Sequence, residues 1–152
     1  MIRRGGLPDL PFLRNLLRHA YHWRVNVYET DIPVSRYVDR WGRPGDAAMI
    51  ALDDGRPVGA AWFRLYPEKA PGYGFVDAET PELTIAVVPG KRGRGFGTEL
   101  LGALLERARA EGYSQVSLSV QADSDQEAFY AAHGFERLAD RGNAVTMLAQ
   151  LS

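Results

Sequence analysis

Residues 85–101 (IAVVPGKRGRGFGTELL) constrain this chain more than any other stretch. The nearly continuous apolar run at residues 83–88 reads as a buried strand. It breaks at Pro89-Gly90 and passes through alternating glycines at 93, 95 and 97. It then enters a segment where Phe96, Leu100, Leu104 and Ala108 recur every four residues, with Leu101 and Leu105 beside them. That is one broad apolar face of a helix, and Gly112 supplies its stop. A buried strand that runs through a short loop into an amphipathic helix points to a sheet with helices packed on it, an α/β or α+β architecture.

The remaining chain fits that layout. Pro8 and Asp9 mark a helix start, and Leu10, Leu13, Leu16, Leu17 and Ala20 follow at helical spacing. Val34, Tyr37, Val38 and Trp41 form a weaker helical pattern. Residues 46–52 and 57–66 read as two strands of a hairpin turned by Asp53-Asp54-Gly55. Residues 67–81, rich in proline and glycine, read as a loop. Residues 115–120 alternate like a strand, residues 124–133 read as a short helix ended by Gly134, and residues 135–138 and 144–151 close the chain as strands. At 152 residues with no repeat or internal linker, one domain is expected over residues 1–152.

Composition narrows the chemistry. The chain has no cysteine, which removes disulfides, thiolate metal sites and a thiol nucleophile. Eighteen Lys and Arg against nineteen Asp and Glu give a net charge of -1, without the basic excess of a nucleic-acid binder. No apolar run reaches the roughly 20 residues of a membrane span, and the N-terminus lacks the apolar core of a signal peptide. A cytoplasmic protein is expected, with neither nucleic acid nor membrane as partner. His19 and His22 have helical ligand spacing but no third ligand in view, so no metal site is expected.

The glycine segment reads as an anion cradle. Glycines let backbone N–H groups approach a ligand closely, and the first turn of a helix leaves N–H groups free at the positive end of its dipole. Such a terminus binds phosphate, and Lys91, Arg92 and Arg94 add charge. It is not a nucleotide P-loop, because position 85 is Ile and position 92 is Arg. Nor is it a dinucleotide fingerprint, because the third glycine would have to replace Thr98.

Arg92-x-x-Gly95-x-Gly97, following a strand that ends in Val-x-Pro, resembles the pyrophosphate loop of the GNAT family of acetyl-CoA-dependent N-acetyltransferases. Residues 117–135 (SLSVQADSDQEAFYAAHGF) extend the resemblance with a strand, a helix carrying Tyr130, and Gly134-Phe135. The resemblance implies a mixed, mostly antiparallel central sheet flanked by helices, in which a splayed strand pair forms the cofactor cleft. It implies acetyl transfer from acetyl-CoA to a primary amine by direct attack, with no metal. Acetyl-CoA would lie on Arg92, Gly93, Arg94, Gly95, Phe96, Gly97 and Thr98. Ile85, Ala86 and Val87 would offer backbone groups to its pantetheine arm. Asp123 stands where the family often has an asparagine on that arm; it serves equally as a helix cap, as do Ser124 and Asp125.

Two catalytic residues follow from the same resemblance. Tyr130 is the candidate general acid, since a tyrosine holds its proton at neutral pH and a departing thiolate needs one. Glu82, just before the cofactor-binding strand, is the first candidate for the base, with Asp77 and Glu79 as alternatives. Tyr21, His22, Trp23, Arg24, Tyr28, Glu29 and Asp31 either line an acceptor pocket or cover the core. The acceptor is a small-molecule or protein amine, and the chain is expected to be a monomer or homodimer. A non-catalytic acyl-CoA-binding module, or a transferase for a different acyl donor, would carry the same cradle.

Overall fold

The computed structural model describes residues 1–21, 23 and 32–151. The chain runs β1 (Ile2–Arg4), α1 (Leu10–Tyr21), β2 (Ala47–Asp53), β3 (Arg56–Arg64), β4 (Glu82–Val87), α2 (Phe96–Ala110), β5 (Gln115–Gln121), α3 (Asp125–Ala132), β6 (Glu136–Arg141) and β7 (Ala144–Gln150). The strands form one seven-stranded sheet in the order β1-β2-β3-β4-β5-β7-β6. Each neighbouring pair is antiparallel except β4–β5, which is parallel.

Strand alternation divides the apolar residues between two layers. On one face, Leu100, Leu101, Leu104 and Ala108 of α2 pack with Ala61, Phe63, Leu83, Val116 and Leu118. On the other, Leu13, Leu16, Leu17 and Tyr21 of α1 pack with Ala60, Trp62 and Ala86. Glu82 and Thr84 share the α1 face with Ala86 by the same period of two.

β4 and β5 have a single register pair, Glu82 opposite Ser117, closed by the Ser117 N–H donating to the Pro81 carbonyl at 3.0 Å. Past that pair a cleft of about 630 Å³ separates the strands, lined by Leu83 to Val87 on one side and Leu118 to Gln121 on the other. The hairpin, the central helix and the two closing strands match the sequence expectations.

Two elements differ from them. The weak helical pattern around Val34 is only a 3-10 turn, Val34–Tyr37. The carbonyls a longer helix would use are taken by side chains of β3. The Arg64 guanidinium donates to the Arg36 and Asp39 carbonyls at 2.9 and 2.8 Å, and Trp62 Nε1 donates to the Tyr37 carbonyl at 3.0 Å. The second difference is β1, a three-residue edge strand too short to show a pattern in sequence.

Candidate active site

The cradle lies at the C-terminal end of β4. After a 3-10 turn at Pro89–Lys91, Gly93 and Gly95 have φ of +76° and +88°. A Cβ at either would meet no atom within 4 Å, so the left-handed backbone, rather than crowding, calls for glycine. The first α2 bond runs from the Glu99 N–H to the Gly95 carbonyl at 3.1 Å, which leaves the amides of Phe96, Gly97 and Thr98 ahead of it at the positive end of the helix. Open space above two left-handed glycines and a helix start suits a pyrophosphate.

The three cations are not equivalent. Lys91 and Arg94 both pair with Asp53 at the end of β2, at 2.9 and 3.2 Å. Lys91 foremost, then Arg94, holds the Asp53 carboxyl below its ordinary value. Lys91 and Arg92 line the cleft, whereas Arg94 lies over the Phe96 ring and is not among the lining residues. Ile85, Ala86, Val87, Gly93, Gly95, Phe96, Gly97 and Thr98 all line it.

The opposite wall carries Tyr130. Ser124 caps α3, its Oγ accepting the Glu127 N–H at 3.2 Å and donating to the Gln121 carbonyl at 2.6 Å. At the other end Gly134, with φ of +95°, turns the chain so that the Phe135 ring lies 5.5 Å from the Tyr130 ring. Tyr130 is buried on the cleft wall, and burial pushes its phenol above the ordinary value. It keeps its proton throughout the neutral range.

Asp123 is not brought to the cleft. Its side chain is 89% exposed and pairs with Arg137 at 3.0 Å, while its backbone N–H donates to Glu127 Oε1 at 2.7 Å. Asp77 and Glu79 are exposed and do not line the cleft.

Glu82 is 1% exposed and also lies off the cleft wall. It sits where β4 and β5 still pair, and Tyr37 Oη donates to its Oε2. Tyr21 from α1 bridges the two regions. It lines the cleft, and its hydroxyl is 2.9 Å from Thr84 Oγ1, two residues along the same strand face as Glu82. Trp23 and His19 line the cleft as well. His22, Arg24, Tyr28, Glu29 and Asp31 lie outside the described residues. Sequence reading named Tyr37 only within a weak helical pattern and Thr84 only within an apolar run. Each becomes notable only through a contact with a distant residue. Among the described residues, no group of three His, Cys, Asp or Glu side chains is placed to hold a metal ion.

Comparison with known proteins agrees with this geometry. A family model described as the acetyltransferase (GNAT) family matches residues 10–135. An L-methionine sulfoximine/L-methionine sulfone acetyltransferase of Pseudomonas paraeruginosa is 31% identical over 115 residues, covering 73% of this chain. This chain spans only 64% of that relative's length. The structure of a ribosomal-protein-alanine N-acetyltransferase from Brucella melitensis superposes with a TM-score of 0.72 at 23% identity, over 99% of both chains. A phosphinothricin acetyltransferase from Sinorhizobium meliloti, solved with acetyl-CoA, gives 0.73 at 22% identity, over 100% of this chain and 88% of the other. Glycine cradle, split strand pair and matched sequence together establish that the chain belongs to the GNAT acetyltransferase family.

Proposed function

We propose that the chain is an acetyl-CoA-dependent N-acetyltransferase that transfers acetyl to a primary amine by direct attack within a ternary complex. The observation that carries this reading is one cleft with the anion cradle at its mouth, strand edges along its length and a protonated Tyr130 on its wall. In this reading the amides around Gly93 to Thr98 hold the pyrophosphate, with Arg92 beside them. The backbone of Ile85 to Val87 pairs with the pantetheine arm as an added strand.

The chemistry needs three proton movements: two off the nitrogen and one onto the thiolate. An alkylamine with a pKa of about 10.4 is only about 0.04% neutral at pH 7, so a base must take its proton first. Glu82 is the proposed base. The neutral nitrogen then attacks the thioester carbon, and the C–S bond breaks as the tetrahedral intermediate collapses. Tyr130 protonates the departing thiolate and regains a proton from the nitrogen, whose second N–H bond breaks as the neutral amide forms. The chain has no cysteine for an acyl-enzyme route, and no serine stands in a nucleophile-elbow setting.

The Pseudomonas relative makes L-methionine sulfoximine the first acceptor to try. The test follows thiol release from acetyl-CoA across a panel of amino acids, polyamines, aminoglycosides and N-terminal peptides, with product masses checked. Amine-dependent release with an acetylated product supports the reading. Tight acetyl-CoA binding with no transfer to any of them would favour a binding module.

A further inference from the structure

We propose that a second cavity, beside α1, receives a carboxylate of the acceptor, so that the preferred amines carry that anion several bonds from the reacting nitrogen. The inference rests on the amine-acceptor reading above and adds a substrate class to it.

The cavity has a volume of about 680 Å³, and Arg14, Leu17, Arg18 and Tyr21 of α1 line it together with Val38 and Asp39. That is the size of a small-ligand site. The four α1 residues stand at i, i+3, i+4 and i+7, one face of the helix. Leu17, Tyr21 and Val38 are buried and make an apolar floor. Arg14 and Arg18 are exposed above it, neighbours four residues apart.

Internal contacts do not account for these two cations. The α1 sequence, LPFLRNLLRHAY, has no acidic residue, and like charges four apart disfavour a helix. Arg18 lies in the last turn, where a cation suits the helix dipole, but Arg14 does not. Among the described residues neither has an ion-pair partner: Arg18 donates to Asn15 Oδ1 at 2.8 Å, and Arg14 makes no hydrogen bond. Asp39 lines the same cavity and is in no ion pair with either arginine. The cavity therefore keeps two guanidiniums and one carboxylate apart, with a net positive charge over an apolar floor. A carboxylate is the group that guanidinium N–H donors bind best in that setting.

The cavity meets the cleft at Tyr21, which lines both. At about 1.5 Å of rise per residue, Arg18 lies about 4.5 Å and Arg14 about 10 Å from Tyr21 along the helix axis. An acceptor with its amine in the cleft reaches them with an anion one to two helix turns away. The carboxylate of an α-amino acid, on the carbon that bears the amine, falls short. An ω-amino carboxylate spans the distance. So does a peptide N-terminus with acidic residues just after the first, since an extended chain advances about 3.3 Å per residue.

The test compares kcat/KM for acceptors matched except for the anion: glycine and ε-aminocaproate against their amides, and the peptide amide Ala-Glu-Glu-Ala against Ala-Gln-Gln-Ala. Wild type should prefer the acidic member about 3–10-fold for ε-aminocaproate, the peptide or both, and should show no such preference for glycine. Whether the ω-amino acid or the peptide shows the larger preference tells a small-molecule source of the carboxylate from a protein N-terminus. Arg14→Gln combined with Arg18→Gln should erase the preference, and Arg18→Glu should reverse it. Both positions are exposed, so these changes leave the core in place. A structural role for the arginines would lower kcat/KM for acid and amide alike and keep their ratio. A preference that survives the double glutamine variant, or equal wild-type values for acid and amide in every pair, would overturn the subsite and leave the transferase reading intact. If wild type acetylates no amine of this set or of the panel above, the transferase reading fails and the subsite fails with it.

Discussion

Gly72 has no side chain because Glu82 and Tyr37 occupy the space one would need. A Cβ there would press on Glu82 Oε1 and lie 2.9 Å from Tyr37 Oη. Gly72→Ala should therefore cost about 1–3 kcal/mol of stability and displace the carboxylate. Steady-state kinetics should show kcat falling while acetyl-CoA affinity holds. Tyr130→Phe should lose roughly 10²-fold or more in kcat with acetyl-CoA affinity, read by calorimetry, nearly unchanged. Loss of binding instead would make Tyr130 a packing residue. These residues differ in how readable they were. Tyr130 sits in one contiguous segment with its cap and its stop, so its setting is local. Glu82 was named, but its burial was not foreseeable, because Tyr37 lies 45 positions away. Asp123 is a site candidate through its place in the family pattern, and its side chain is instead exposed and paired with Arg137.

At the scale of elements, Arg64 decides where Tyr37 stands. Its side chain is fully buried with Asp46, and it donates to two carbonyls of the segment that carries Tyr37. Removing one member of a buried pair leaves the other uncompensated, typically costing about 3–5 kcal/mol. Arg64→Met should show that loss in denaturant unfolding. Because the turn loses its clamp, kcat should drop in whatever fraction remains folded. Helical periodicity could not reveal this segment's true conformation, since it ignores competition for backbone carbonyls. Where local signals agreed with tertiary demands, as in α2 and the β2–β3 hairpin, elements were legible close to their ends.

In the whole molecule, the splayed β4–β5 pair opens the cleft in which the proposed chemistry is set. No periodicity encodes that split; it was accessible only through resemblance to the family. The same buried tyrosines set the alkaline limit. Tyr21, Tyr37, Tyr66 and Tyr130 all have phenols raised by burial. Above the unfolded-state pKa of about 10 the unfolded chain has released protons that the folded chain still holds, so stability falls as pH rises. Their phenolate absorbance should appear together with unfolding, in one cooperative step; gradual ionisation of a folded protein would contradict that burial. The most direct measurement is calorimetric titration with acetyl-CoA and CoA, with ATP and NAD as comparators. Acetyl-CoA and CoA should bind in about the micromolar range, roughly -8 kcal/mol, with neither comparator competing. Absence of acetyl-CoA binding at millimolar ligand would refute the cradle and with it every role assigned along the cleft.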